Sequence, residues 1–449
     1  MVVASIDIQD GKVVQLKQGA ELVLQRDNAE ELAEEFDRYG EVAVIDLDAA
    51  MGLKPFGSAD GNTGMIKRLL RKAECRVGGG IRTPEQAKEL VSLGARKIII
   101  GSGAFRDPSE AVVSAKKGSG AAGGEFGVNL PLLEAFAKKI GRERLIVAVD
   151  ARDGEIMVDG WKTPTGLDLI EAARAVEPWV SELLFTCVER EGTMTGIDTA
   201  QVKKLRDAVS CGVTVAGGIS TLGEIDELAA LGCDVQLGMA LYTGKLNLAD
   251  AFVRSLNWKK GQPSASGSQS PLLPVIAQSS DGQVLMTGFT DAEALYETFR
   301  RGMLCFHSRT RNKLWMKGEN SGNTLKVVRL RADCDRDAIL AVVEGVGPVC
   351  HTGAWSCFST GRRYTWEYLQ RVIADRFHNP VPGSYTATLD DELVREKVME
   401  EAEELCDAKT HDEIIWEAAD LLYFSTALIT RAGVSVAEVL AELERRHKK

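Results

Sequence analysis

The chain has 449 residues, 45% of them apolar, enough for about three domains that each bury a core. A formal charge of -11 without basic runs excludes nucleic acid and anionic membrane as expected partners, while phosphorylated metabolites remain open to backbone N–H groups and local cations. No apolar run approaches the roughly twenty residues of a membrane span, no signal-like core opens the chain, and nine cysteines without a disulfide-like framework fit a reducing compartment, so the expectation is a cytoplasmic protein.

Across residues 1–256, short apolar runs alternate with amphipathic helical stretches. Eight strands are predicted: Val2 to Ile8, Val42 to Asp48, Arg76 to Ile81, Lys97 to Gly103, Leu145 to Asp150, Leu183 to Glu189, Val213 to Ile219 and Val235 to Leu241. Ala29 to Tyr39, Pro84 to Leu93 and Leu167 to Val176 read as helices. Eight βα units in this length predict a (βα)8 TIM barrel, with an open doubly wound sheet as the alternative. An internal repeat favours the barrel. Val77-Gly78-Gly79-Gly80-Ile81 returns as Val215-Ala216-Gly217-Gly218-Ile219, and Ile6-Asp7-Ile8-Gln9-Asp10-Gly11 returns as Val149-Asp150-Ala151-Arg152-Asp153-Gly154. Two half-barrels put Asp7 and Asp150 opposite each other at the C-terminal mouth, between two glycine-rich phosphate cradles, Gly79, Gly80, Gly101 and Ser102 on one side and Gly217, Gly218 and Gly238 on the other. Such an arrangement suits a substrate with a phosphate at each end and an aldose–ketose isomerisation between two carboxylates; the alternative is that both aspartates merely tie down loops.

Asp7, Gly78-Gly79-Gly80-Ile81-Arg82, Asp150, Gly160-Trp161, Glu191-Gly192-Thr193 and Asp198 together resemble the phosphoribosylformimino-aminoimidazole carboxamide ribotide isomerase of histidine biosynthesis. The resemblance implies Asp7 and Asp150 as the acid–base pair, Thr193 and Asp198 in support, and Arg82 and Trp161 against substrate. The sister barrel, the cyclase subunit of imidazole glycerol phosphate synthase, shares the aspartates and the repeat, and Gly160-Trp161 favours the isomerase. Asp107 to Gly127 reads as a glycine-rich insertion, either a lid or an inert excursion. Residues 257–270 read as a flexible linker rich in Gly, Ser, Pro and Gln.

The segment 271–363 is expected to form a small α+β metal-binding domain. Asp333-Cys334-Asp335-Arg336-Asp337 and Cys350-His351-Thr352-Gly353-Ala354-Trp355-Ser356-Cys357 concentrate three cysteines, three aspartates and a histidine, donors suited to a borderline-soft ion and a hard ion side by side; three buried cysteines beside a solvated acidic turn are the alternative. With Ser308-Arg309-Thr310-Arg311 and Leu314 to Gly322, these residues resemble phosphoribosyl-AMP cyclohydrolase. That resemblance implies Cys334, Cys350 and Cys357 as zinc ligands shared between two chains, Asp333, Asp335 and Asp337 as magnesium ligands, and Ser308, Arg309, Lys317, Glu319 and Ser321 against substrate. His351 is then a proton carrier or a hydrogen-bonded neighbour of the metal.

Residues 364–449 show long helical periodicity and no convincing strand. Glu400, Glu401 and Glu404, then Glu417 and Asp420, fall at helical spacings that group them on common faces, where either solvent or a cation must relieve their repulsion. The pattern resembles phosphoribosyl-ATP pyrophosphohydrolase, an all-α relative of MazG-type pyrophosphatases. It implies magnesium on these carboxylates and Lys397 against substrate. Ala387 and Thr388 stand where that family often has a basic residue.

The three resemblances together imply a trifunctional enzyme of histidine biosynthesis that uses zinc and magnesium and acts on small nucleotide-derived phosphates. They also imply a homodimer formed through the second and third domains. The alternative is a bifunctional cyclohydrolase and pyrophosphohydrolase whose barrel is non-catalytic or takes two substrates.

Overall fold

The computed structural model describes residues 1–106, 126–262, 271–359 and 361–447. They divide into two compact units, Met1–Ser279 with Val284–Phe358, and Ser280–Gln283 with Ser359–Lys449.

The first unit contains a closed parallel barrel of eight strands: β1 (Val2–Gln9), β2 (Val42–Asp46), β3 (Cys75–Gly78), β4 (Lys97–Ile100), β5 (Leu145–Ala148), β6 (Glu182–Thr186), β7 (Gly212–Ala216) and β8 (Asp234–Leu237). Closure comes from β1 pairing with β8 in the register Val2–Val235, Val3–Gln236 and Ala4–Leu237. Every predicted run except the first extends past the end of its strand. The overshoot has a cause: Leu47 continues the apolar pattern into the short helix Leu47–Ala50, and Ile81, Val149 and Ile219 continue it into loops at the mouth. Side chains of Ile99, Ile146, Ala148, Leu184 and Ala216 fill the barrel interior, and a larger apolar layer joins the strands to the surrounding helices.

The halves repeat in backbone geometry as well as in sequence. The helix Pro84–Ser92 starts at a capping box formed by Thr83 and Gln86, and its counterpart Leu222–Ala230 starts at one formed by Thr221 and Glu224. Gly79 (φ 96°) and Gly217 (φ 93°) occupy the same left-handed conformation, and a Cβ on either would lie 2.2 Å from the Asp46 carbonyl oxygen or 2.8 Å from that of Cys187. Only glycine lets these loops approach the neighbouring strand so closely.

The N-terminal end of the barrel is closed by charge. Arg76, wholly buried on β3, donates to Glu41 and Glu182, and Lys97 adds a 2.8 Å bond to Glu182. Burial alone would raise the Glu182 carboxyl, but Arg76 and Lys97 hold it down at about 2.

The smaller domain of this unit has a four-stranded sheet in the order Val284–Thr290, Leu273–Ser279, Ile339–Gly345, Leu325–Ala332, with the helix Ala292–Arg301 and the hairpin Cys305–Ser308 and Lys313–Met316 beside it. It is fixed to the barrel near the N-terminal ends of the strands. Arg329 bonds Asp37 at 2.7 Å and Glu74 at 2.5 Å, Arg331 reaches both carboxylates at 3.0 and 3.1 Å, and Tyr39 stacks on Phe299 at 4.6 Å. The expected linker 257–270 begins as structure, because Trp258 donates to the Val253 carbonyl (2.9 Å) and the turn Trp258–Lys260 packs on this domain; 263–270 lie outside the described residues. The glycine-rich insertion likewise falls outside them across 107–125, with Arg106 and Phe126 bridged at its ends.

The second unit is helical: Trp366–His378, Asp391–Asp407, His411–Arg431 and Val436–His447 around a core that includes Leu369, Ile373, Val394, Phe424 and Ala427. Among the described residues no helix is long and apolar enough to cross a membrane.

Replacing Glu182 with alanine leaves the Arg76 guanidinium without its main partner in the interior and is expected to cost about 3–5 kcal/mol in urea unfolding. In the wild type, Glu182 has a folded pKa below its ordinary value of 4.5, so its contribution is complete above about 4.5 and fades as pH falls toward about 2. A variant with unchanged stability at pH 7 would show that the cluster does not hold the barrel closed.

Candidate functional site

Three carboxyls meet at the barrel mouth. Asp7 lies on β1 near its C-terminal end, Asp150 follows β5 by two residues, and Glu191 follows β6 through the short turn Val188–Arg190; all three line the cavity there. Trp161 Nε1 donates to Asp150 Oδ2 at 2.9 Å, which fixes one acid. Burial raises Asp7 to about 7, burial and then the charges of Asp7 and Asp150 raise Glu191 to about 8, and burial raises Asp150 against the opposing bond from Trp161. Such a group keeps at least one proton near neutral pH while another member is ionised.

The same cavity is lined by Gly79, Gly80, Arg82, Gly101, Ser102, Trp161, Gly217, Gly218 and Gly238, so the structure brings both predicted cradles to one mouth. Thr193 and Asp198 are absent from its lining. The Thr193 hydroxyl donates to the Arg190 carbonyl at 2.7 Å, and Asp198 caps the helix Thr199–Ala208 through Gln201 N at 3.0 Å. Glu191, part of the quoted motif but not assigned a role, takes the place at the mouth. Its signal in the sequence was Gly192, whose φ of 68° turns the loop tightly against Leu16 and Lys17.

In the smaller domain the loop Cys350–Cys357 folds back on itself through Cys350 N to Ala354 O (3.0 Å) and is anchored by Cys357 N to Leu285 O (2.8 Å). This brings two thiols together. The Thr352 hydroxyl donates to Cys350 Sγ at 3.1 Å and lowers its pKa, whereas burial, then the charge of Cys350, raises Cys357. Lys317 is 8% exposed, and burial lowers its pKa against the opposing charges of Cys357 and Cys350. His351 Nδ1 lies 3.8 Å from Cys350 Sγ. Cys334 stands apart from this pair among the described residues of one chain, in the exposed loop that instead gathers Asp333, Asp335 and Asp337, each offering an oxygen within 4.8 Å of the others. Arg309 lies flat on Phe289 at 3.9 Å. Ser308, Glu319 and Ser321 accept backbone N–H bonds from Arg311 (3.3 Å), Met316 (3.4 Å) and Asn323 (3.3 Å).

In the helical unit Glu401, Glu417 and Asp420 offer oxygens within 4.8 Å of one another. Glu401 is 6% exposed; burial, then Asp420 and Glu404, raises its pKa. Glu404 bonds Glu417, whereas Glu400 is drawn off by Lys397 at 2.6 Å. The five predicted acids therefore separate into a converging set, one neighbour and one ion-paired residue. Three like carboxyls at this distance are a donor set for a hard cation.

A barrel with a carboxyl-lined mouth, joined to one domain with clustered thiols and acids and another with converging acids, defines a multidomain enzyme class. Comparison with known proteins narrows it: the chain matches the models described as "Histidine biosynthesis protein" over residues 1–247, "Phosphoribosyl-AMP cyclohydrolase" over 286–359 and "Phosphoribosyl-ATP pyrophosphohydrolase" over 367–447. The chain belongs to the histidine biosynthesis protein family and carries cyclohydrolase and pyrophosphohydrolase domains beside an isomerase-family barrel. Relatives named "Histidine biosynthesis bifunctional protein HisIE" include that of Xanthomonas campestris, 41% identical over 43% of this chain and 94% of its own length. Those of Pyrococcus furiosus (36%, 44% and 99%) and Escherichia coli (38%, 43% and 97%) are similar in the same way.

The Glu191 carboxyl has a folded pKa near 8 against an ordinary value of 4.5, so the folded state holds its proton more tightly and loses stability relative to the unfolded chain as pH rises from about 4.5 to about 8. Glu191→Gln removes that penalty and is expected to stabilise the barrel at pH 8 by up to roughly 4 kcal/mol, with little effect at pH 4. Equal gains at both pH values in denaturant titrations would contradict a shared proton at the mouth.

Proposed function

We propose that this chain catalyses three reactions of histidine biosynthesis in the cytoplasm. The helical domain releases pyrophosphate from phosphoribosyl-ATP, the smaller domain opens the adenine ring of phosphoribosyl-AMP with water, and the barrel isomerises the resulting formimino-aminoimidazole carboxamide ribotide. The observation that carries the barrel's part is the carboxyl trio at the mouth between two glycine cradles.

An aldose–ketose shift needs a base at one carbon and an acid at the ring oxygen, which opens as the proton moves. Asp7 and Asp150 fill these roles, and Glu191 beside them keeps a proton in reserve at neutral pH. Gly80, Gly101, Gly218, Gly238 and Arg82 hold the two phosphates, and Trp161 orients Asp150 while covering the sugar. Thr193 stiffens the loop that presents Glu191, and Asp198 holds the helix that follows. Asp7→Asn is expected to lower isomerisation by about 10²–10⁴ and to leave ring opening within about twofold. Full isomerase activity in that variant would remove Asp7 from the chemistry, and a wild-type chain with ring opening but no isomerisation would make the barrel a scaffold.

The donor sets in the other domains fit two kinds of metal. Cys350 and Cys357, with Cys334 of a second copy, would hold zinc, which when bound makes a water acidic enough to yield hydroxide near neutral pH. Ser308, Arg309, Lys317, Glu319 and Ser321 position the nucleotide, and His351 carries the proton. Asp333, Asp335 and Asp337 would hold one magnesium, and Glu400, Glu401, Glu404, Glu417 and Asp420 supply the acids around another, with Lys397 turned to the phosphates. The separation of Cys334 from the thiol pair supports a homodimer that shares this site through the smaller domain, with the helical domain proposed as its second contact.

Complementation tests the shared site. Cys334→Ser and Cys350→Ser chains are each expected to lose zinc and ring opening. Co-refolded in equal amounts they should regain about one quarter of wild-type activity, because half the dimers are mixed and each mixed dimer has one intact site. No recovery, with dimers demonstrably exchanged, would place all three thiols within one chain.

A further inference from the structure

We propose that Lys260, presented by the turn that follows the last helix of the barrel (Leu248–Ser255), is the resident counter-ion of Asp333, Asp335 and Asp337, and that a divalent cation enters this site by displacing it. The inference rests on reading the three acids as a metal site and adds a residue from outside the cyclohydrolase domain to that site's control. Lys260 Nζ lies 2.5 Å from Asp335 Oδ2 and 3.7 Å from Asp337 Oδ2. Asp333 is committed differently, its Oδ1 accepting the backbone N–H groups of Asp337 (3.0 Å) and Ala338 (3.1 Å). The ammonium therefore engages the other two acids, Asp335 also bonding its own backbone N–H and the Asp333 side chain.

This placement is built into the fold. Arg336, at a left-handed φ of 63°, sends its guanidinium out of the acidic loop onto the barrel, donating to the Cys233 carbonyl at 3.0 Å and that of Ala229 at 3.2 Å. In return, Asn257 N donates to the Arg336 carbonyl at 2.8 Å, and Trp258 Nε1 ties the same turn to Val253. The acidic loop and the turn carrying Lys260 are thus held by the same stretch of barrel. Both partners in the ion pair are about half exposed, 48% for Lys260 and 49% for Asp335, so water and salt screen the contact and a divalent ion can outcompete it.

The test is manganese binding to the full chain, followed by the electron paramagnetic resonance signal of the free ion at low salt. Lys260→Gln is expected to tighten one class of sites by about three- to tenfold, Lys260→Arg to leave it near wild type, and Asp335→Asn to weaken it. In the Asp335→Asn background, Lys260→Gln should have no effect. If Lys260→Gln leaves the isotherm unchanged or weakens it while Asp335→Asn abolishes that class, Lys260 is not a competitor although the acids bind metal. If Asp335→Asn changes nothing, the metal reading of the acidic loop fails, and this inference with it.

Discussion

Like charges held together against their own repulsion are the constraint around which this molecule is organised. Each candidate centre is a trio of acids: Asp7, Asp150 and Glu191 in the barrel, Asp333, Asp335 and Asp337 in the smaller domain, and Glu401, Glu417 and Asp420 among the helices. Such trios persist only where protons, ammonium groups or cations relieve them. The molecule uses protons in the first and ammonium groups in the other two. Burial favours retained protons at the mouth. Lys260 faces the second trio, and Lys397 lies 3.9 Å from Glu401 beside the third.

The barrel was largely legible because its signal is repetitive and local. Alternating apolar runs identify the strands, and doubled glycine motifs identify the mouth. Strand ends were less legible, since a loop lining a cavity is as apolar as the strand before it. The choice between Glu191 and Asp198 shows where spacing stops being informative. Both follow β6, but whether an acid faces the cavity or caps a helix depends on the turn at Gly192, a matter of three-dimensional geometry rather than residue type. Lys260 was hidden for a similar reason, lying 75 positions from Asp335 in a stretch whose composition resembles a tether. Among the helices, periodicity put Glu400 and Glu401 side by side, yet successive helical residues point about a quarter-turn apart, so one meets Lys397 and the other turns inward.

The contact between the barrel and its neighbour repeats the theme with opposite sign. Arg329 and Arg331, adjacent on one face of a strand, would repel if bare, and Asp37 and Glu74 on the barrel bind both. Charged residues thus specify how these two domains fit, while Tyr39, Phe252 and Phe299 supply the apolar area beneath. The contact lies near the N-terminal ends of the strands, whereas Asp7 and Asp150 stand at the other end of the barrel.

Near-duplicate halves also create a problem of polarity. If the mouth takes a molecule with similar groups at its two ends, as proposed, matching loops at Gly79 and Gly217 would let it lie across in either sense. What breaks the tie is the divergence between copies: Arg82 has Ser220 as its counterpart, and Trp161, at φ 67°, reaches over Gly19 and bonds Asp150. On the proposed reading of the mouth, the handedness of binding would reside in positions such as these, where the two halves differ.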